Sequence, residues 1–521
     1  MLNNKKVCLV IIDGWGIGQD NFTNPIFLAK TPFLDHLKQN YPYYALQTSG
    51  IASGLGFMEE GSSEVGHLIL GSGRTIYQTQ TKIDMSIKDN SFLNNKALLQ
   101  AISHAKQNNS NLHLIGMISS AETMSSYAHL RALIYMAKIN QVKNVFVHLI
   151  SDGKDANINE AKDLIIKLKN EKSKLGDFKV ASVCGRFYAL NNHSEEYLKK
   201  YYEFLTLDIN RKKTDDIALF FDQTYQKGIS DEFIEPTAFE NDFQKIQNND
   251  ALIMFNYKAN HFPMEYLAGN ILNPLSGIAN VKITSLAELN VSLDVKIAFN
   301  HEQINDCLAS VLSQNQKRQV HLTESHKSLH VTYYFNGLNK KPFPNEYWLI
   351  LPSKTIFNLS EDPYLEAKNI TERALQIMEE GVYDFLLINY ANADLAGHTG
   401  DMDLAKTVVN VIDNEIKTLV ENGLKNDFIF LITSDHGNIE SMKNASTGES
   451  EYGHDPSFVP IHIVSNEWKN TAPITNVDIK KREKQALGVL SDISPTIIDI
   501  FEIPKPLSMT GHSLLELLRI K

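Results

Sequence analysis

Three apolar, β-rich runs in this 521-residue chain each end in a carboxylate or an imidazole. Asp13 follows Val7-Cys-Leu-Val-Ile-Ile12, Asp394 and His398 follow Phe385-Leu-Leu-Ile-Asn389, and Asp435-His436-Gly437 follows Phe428-Ile-Phe-Leu-Ile-Thr433. If each run is a strand of a parallel sheet buried on both faces, all three deliver these groups at its C-terminal end, where open α/β sheets bind ligands. The four-residue step from Asp394 to His398 places both on one face of a helical turn, a spacing suited to a single metal ion. His454, in Gly453-His454-Asp455-Pro456, reads as a loop residue able to swing in as a further ligand. Each residue alone has an ordinary reading, as a helix cap, a turn residue or a solvated imidazole. Together, Asp and His without thiolates suit Mn²⁺, Zn²⁺ or Mg²⁺.

A candidate nucleophile lies in Gly61-Ser62-Ser63-Glu64-Val65-Gly66-His67, where Ser63 sits between turn glycines ahead of a helix-compatible run. A plain helix N-cap is the competing reading. If Ser63 opens a helix, the free N–H groups and the dipole there favour a bound phosphate or a phosphoserine. Two divalent cations at the Asp/His set would polarise a phosphoryl group and activate Ser63 as an alkoxide.

Hydrophobic residues make up 43% of the chain, enough for two or three domains with their own cores. The net charge of -11, with Lys and Arg dispersed, argues against a nucleic-acid surface but leaves room for a local basic pocket and a small anionic ligand. The basic start before Val7 leads into a short apolar run ending at Asp13, which reads as a first strand rather than a signal peptide. No apolar run approaches the roughly 18 residues of a membrane helix. Cys8, Cys184 and Cys307, far apart and in apolar segments, fit reduced core thiols, and a cytoplasmic location is expected.

Periodicity fills in the elements around these residues. Pro32 to Tyr44 reads as a helix and turn, and a Gly-rich stretch over 50–61 leads to Ser63. From about residue 80 strand and helix alternation restarts, with strands at Leu112–Ile118, Val145–Ile150, Val180–Val183 and Ala251–Phe255 and helices at Tyr127–Ile139 and Ile158–Lys169. Near 300–320 the chain crosses back, and Val331–Phe335 reads as a further strand. Leu404, Val408, Val411, Ile412, Ile416, Leu419 and Val420 mark a helix with Gly423 as its stop. The fold class is α/β, with a discontinuous domain over 1–78 and 304–521 and a second α/β domain inserted over 79–303.

The ordered set Asp13-Gly-Trp-Gly16, Ser63-Glu-Val-Gly-His67, Asp152-Gly-Lys-Asp155, Gly185-Arg-Phe-Tyr188, Asp231-Glu-Phe-Ile-Glu-Pro236, His330-Val-Thr332, Asn389-Tyr-Ala-Asn392, Gly397-His-Thr-Gly400 and Ser434-Asp-His-Gly-Asn438 resembles the cofactor-independent phosphoglycerate mutases of the alkaline phosphatase superfamily. The resemblance implies an alkaline-phosphatase-like sheet domain and an inserted substrate-binding domain. It implies one metal on Asp13, Ser63, Asp435 and His436 and another on Asp394, His398 and His454, with manganese expected and zinc, cobalt or magnesium compatible. Ser63 would be phosphorylated while the acceptor turns, and the phosphoryl group would return to a different hydroxyl, interconverting 3- and 2-phosphoglycerate. Asp155 would move the proton between hydroxyls, and Arg186 and Lys327 match the family's substrate-binding residues.

Here the chain departs from the family. Met124 stands where the family has a histidine, and Lys154, Asn192, Lys258 and His261 stand where it has arginines. Lys offers a point charge where a guanidinium offers a planar two-point contact, Asn has no charge, and Met124 can neither donate a proton nor bind an anion. The expectation is therefore a monomeric phosphotransferase acting on another small phosphorylated or phosphonate-bearing molecule. Its site would lie in a cleft, with Ser63 and the metals facing Arg186 and Lys327 across a hinge. The alternatives are an ordinary phosphoglycerate mutase whose pocket tolerates the changes, a metal-dependent phosphatase, or a binding relative without catalysis.

Overall fold

The structure is a computed structural model that describes residues 5–56, 60–191, 194–258, 261–289, 293–300, 304–354, 359 and 362–515. The chain divides into two units, Met1–Gln78 with Gln303–Lys521, and Thr79–Glu302. The first unit opens with β1 (Lys6–Ile12) and β2 (Tyr43–Gln47). The second holds β3 (Leu112–Ile118), β4 (Val145–Ser151), β5 (Lys179–Gly185), β6 (Lys212–Thr214), β7 (Thr237–Phe239), β8 (Ala251–Met254), β9 (Lys282–Ser285) and β10 (Val295–Ile297). The first unit then resumes with β11 (Gln319–Glu324), β12 (Glu346–Leu351), β13 (Phe385–Tyr390), β14 (Phe428–Thr433), β15 (Val459–Val464) and β16 (Ala486–Val489).

The uninterrupted apolar runs are explained by burial on both faces. In β1, Cys8, Val10 and Ile12 enter one hydrophobic core and Val7, Leu9 and Ile11 the other, so no polar side is left to alternate with. The first sheet has the order β12-β11-β13-β1-β14-β15-β2-β16, and β15 alone runs against its neighbours. The second has the order β10-β9-β8-β3-β4-β5-β7-β6, parallel from β10 to β5. It too is buried on both faces, with Leu112 and Leu114 in one core and Ile115 and Met117 in the other. The molecule is thus α/β, with two multi-stranded sheets. No helix among the described residues is long and apolar enough to cross a membrane. Cys8, Cys184 and Cys307 are free and buried.

Three expectations need correction. Val331–Phe335 is not a strand; His330–Tyr334 forms a π-helical turn that buries Val331 and Thr332. A short apolar run does not separate strand from helix by period alone. The strand nearby is β11, hidden by its polar letters, which enter the core only partly paired: His321 Nδ1 lies 2.7 Å from the Val331 carbonyl and Gln319 Nε2 donates to Ala309 O, while His321 Nε2 and Gln319 Oε1 have no hydrogen-bond partner among the described residues. Pro32–Tyr44 is a helix only over Pro32–Asn40, after which β2 begins at Tyr43. Gly423 is the last residue of its helix, Met402–Gly423, but with a helical φ of -65° and a 3-10 turn after it rather than as a left-handed stop. It is needed for packing instead, since a Cβ there would stand 2.2 Å from Phe430 Cζ.

Candidate active site

β11, β13, β1 and β14 are neighbours in the sheet, and the residues singled out by sequence leave their C-terminal ends. Lys327 follows β11, Asp394 and His398 follow β13, Asp13 follows β1, and Asp435 and His436 follow β14. Ser63 is the first residue of the helix Ser63–Ser72. The capping role falls to its neighbour, because Ser62 Oγ accepts from Val65 N. The Ser63 hydroxyl is thereby left for other partners. Close approach is made possible by glycines: a Cβ on Gly66 would meet Asp435 O at 2.6 Å, and one on Gly14, at φ 72°, would meet Asp394 Cα at 2.8 Å.

Ser63 Oγ donates to Asp13 Oδ1 at 3.0 Å and lies 2.8 Å from His436 Nε2. Lys327 Nζ, almost fully buried, donates to Ser63 Oγ at 2.8 Å and to Asp13 Oδ1 and Asp394 Oδ2 at 2.7 Å each. Lys327 thus belongs to the same unit as Ser63 and touches it, which corrects its expected place beside Arg186 across a hinge. His454 needs no swing, since its Nε2 lies 3.2 Å from His398 Nε2 and 3.6 Å from Asp394 Oδ1.

Two residues that sequence reasoning left without a role complete the floor. Asn389 Nδ2 donates to Asp13 Oδ2 at 2.8 Å and lies 3.0 Å from His67 Nε2. His67 Nδ1 in turn lies 2.9 Å from Ser63 O and 3.1 Å from Asp435 Oδ2. Both belong to the motifs quoted above, and their polarity inside apolar surroundings was the available signal.

The donor set fits a divalent cation. Among the described residues, three groups have possible ligand atoms within 4.8 Å of one another inside each group: Asp394, His398 and His454; Asp13, His67 and Asp435; and Asp13, Asp394 and His436. Nδ1 of His398 faces the Tyr452 carbonyl at 2.8 Å and Nδ1 of His454 the Gly61 carbonyl at 2.7 Å. Such contacts set the tautomer and turn Nε2 of each ring toward the shared carboxylate, as in imidazole ligands of a metal. Asp435 Oδ2 is buried without a hydrogen bond of good geometry.

Charge points the same way, since three buried carboxylates surround one ammonium. Burial pulls the His436 imidazole down, but Asp435, Asp13 and Asp394 outweigh it and hold it up at about 10. Burial likewise works against Lys327, yet Asp13 and Asp394 raise it above the ordinary lysine range. A pocket that holds protons this tightly is one that attracts cations.

The remaining candidates lie in the second unit. Arg186 Nη1 donates to Asp152 Oδ1 and to Asp155 Oδ2 at 2.5 and 2.7 Å, and Nη2 lies 4.0 Å from Met124 Sδ. The Arg186 hydrogen bond holds the Asp155 carboxyl below its usual range. Lys154 and Lys258 are exposed, their backbone N–H groups donating to Asp152 Oδ1 and Met124 O. Asn192 and the His261 side chain lie outside the described residues; His261 begins the helix His261–Leu272.

Residues 5–505 match the model of the Metalloenzyme superfamily, so fold and site together define a metalloenzyme. The chain is 34% identical over 520 residues to the 2,3-bisphosphoglycerate-independent phosphoglycerate mutase 1 of Methanosarcina barkeri, covering 98% of each chain. It is 32% identical to the 2,3-bisphosphoglycerate-independent phosphoglycerate mutase of Clostridium botulinum, covering 99% of this chain and 100% of that one. Leishmania mexicana phosphoglycerate mutase, in crystals at low cobalt concentration, shares the fold with a TM-score of 0.61 at 21% identity, over 98% of both chains. The chain belongs to the 2,3-bisphosphoglycerate-independent phosphoglycerate mutase family and is a metal-dependent phosphomutase.

Proposed function

We propose that the chain isomerises a small phosphorylated molecule by way of a phosphoserine at Ser63. The observation that carries this reading is the contact of Ser63 Oγ with Asp13 Oδ1, His436 Nε2 and Lys327 Nζ, all within 3.0 Å. Asp13 receives the hydroxyl proton as Oγ bonds to phosphorus and the substrate's P–O ester bond breaks. Lys327 donates to the attacking oxygen and offsets its charge, and the N–H groups at the start of the Ser63 helix face the transferred phosphoryl group. The released alkoxide takes up a proton, the acceptor reorients, and a second hydroxyl receives the group from Ser63. Asp155 carries the proton between those hydroxyls, while Arg186, with Lys154, Lys258, His261, Asn192 and Met124, binds the rest of the molecule.

Two divalent cations, manganese in our reading, would add Lewis-acid charge at Asp13, Ser63, Asp435 and His436 and at Asp394, His398 and His454. His67, whose ring lies within 4.8 Å of Asp13 and Asp435, is a further possible ligand of the first. The first unit supplies nucleophile and cations, the second binds substrate, and the protein works as a cytoplasmic monomer.

Phosphoglycerate is the substrate that the relatives' names carry. A second reading, a different phosphorylated or phosphonate-bearing substrate, is favoured by Arg186. Its guanidinium is already engaged by two carboxylates and rests on the Met124 thioether, so it brings little free positive charge to a second anionic group. The test is the Mn²⁺-loaded protein with 3-phosphoglycerate, reading 2-phosphoglycerate and free phosphate together. Formation of 2-phosphoglycerate supports the mutase, phosphate alone makes the chain a phosphatase, and silence favours the altered substrate. Ser63→Ala should fold and bind metal but form no phosphoenzyme; full activity in that variant would end the phosphoserine reading.

A further inference from the structure

The loops that follow β1 and β14 are clasped together. Gly14 N–H donates to Asp435 Oδ1 at 3.2 Å and Trp15 N–H to Ser434 Oγ at 2.9 Å, while Ile439 N–H and Met442 N–H return to Gly14 O and Thr23 O. At the centre of the clasp lies Glu440, 1% exposed. Its Oε2 accepts from Gly16 N–H at 2.8 Å and from Asn438 N–H at 2.9 Å. Oε1 has no hydrogen-bond partner among the described residues. Two glycines make room for it: a Cβ on Gly16 would stand 2.1 Å from Oε1, and one on Gly437 2.2 Å.

The two N–H groups held by Oε2 are close to the reacting residues. Gly16 lies three residues past Asp13 and Asn438 two past His436. The Asn438 side chain itself donates to Asp394 Oδ1 at 2.9 Å. No ion pair is formed by Glu440 among the described residues, so it sits in the interior at a cost. Burial, followed by the charge of Asp455, pushes its carboxyl up to about 7. An acceptor for two loop N–H groups is what the position uses.

We propose that Glu440 is a positioning residue, setting through Gly16 N–H and Asn438 N–H the spacing of Asp13 from Asp435 and His436. It therefore sets the affinity of the site for divalent cations and the rate of transfer at Ser63. This rests on the reading that those residues hold the cations. The carboxylate acts as a hydrogen-bond acceptor rather than as a charge, so its amide isostere serves.

The test is Mn²⁺ titration calorimetry on the metal-stripped full-length protein, with kcat and KM measured after reloading. Glu440→Ala should weaken Mn²⁺ binding by about 10- to 100-fold, the usual effect of losing a group that orients metal ligands. It should lower kcat with KM little changed. Glu440→Gln, whose carbonyl can accept both N–H groups, should stay close to wild type, and Gly16→Ala, which drives a methyl into Oε1, should reproduce the loss with Glu440 intact. Wild-type affinity and kcat in Glu440→Ala, or a Gln variant as impaired as the Ala one, would overturn the proposal. A wild-type protein that shows no saturable Mn²⁺ binding would instead overturn the metal reading on which it rests.

Discussion

Lys327 holds two carboxylates in an interior that would otherwise drive them apart. Its ammonium is 2.7 Å from both Asp13 and Asp394, and all three side chains are buried. Removing one partner of such a group leaves uncompensated charge, at a cost of about 3–5 kcal/mol. Lys327→Met in the presence of chelator should therefore unfold at clearly lower urea, and an unchanged midpoint would show that the carboxylates are relieved in another way. Candidacy at this scale was legible in the sequence: type and position single out Asp13, Ser63, Asp394, Asp435 and His436, which the structure brings together. Adjacency was not. Lys327 follows a strand of polar letters, so nothing local tied it to Ser63.

At the scale of elements, the helix Ser63–Ser72 is pressed against the loop after β14. Gly66 is the contact, and a Cβ there would overlap the Asp435 carbonyl at 2.6 Å. Gly66→Ala must shift the helix or the loop, at about 1–3 kcal/mol for an overpacked site. Because Ser63 opens that helix, the variant should also lose Mn²⁺ affinity. A lower melting temperature with unchanged affinity would show that the loop yields and the nucleophile stays in place. The sequence reading of elements succeeded where burial on both faces writes a long apolar run, as in β1, β13 and β14. It failed at β11 and at His330–Tyr334, where specific hydrogen bonds let polar residues into the core and a β-branched, aromatic run coils.

For the whole molecule, each unit has its own sheet and its own cores, so each should unfold as a unit. Metal at about 100 times its Kd stabilises the species that binds it by about 2.7 kcal/mol. Calorimetry with and without chelator should then show two transitions, of which only that of the first unit moves; a joint shift would mean that the units unfold together. The second unit carries a different sensitivity. In its core Asp250 Oδ2 lies 3.0 Å from His113 Nε2, His113 Nδ1 lies 3.0 Å from His148 Nε2, and His148 Nδ1 lies 2.9 Å from Ser182 Oγ. Burial, then the charge of His113, holds the His148 imidazole well below its usual range. The folded unit thus binds fewer protons than the unfolded chain below about pH 6.5, and stability falls as pH falls from there. The transition of the second unit should drop between pH 7 and pH 5, and His148→Gln should flatten that slope.

The sequence by itself determined the chemistry and the class of fold. Residue types set which atoms can ligate, attack or donate, and the apolar runs dictate strands buried on both faces. The order of the strands was decided only by tertiary structure, because any of them satisfies its backbone equally well beside several neighbours. That order brings β11, β13, β1 and β14 side by side. It places Lys327 against Ser63, sets Asn389 against Asp13 and His67 against Asp435, and gives Glu440 two loops to hold.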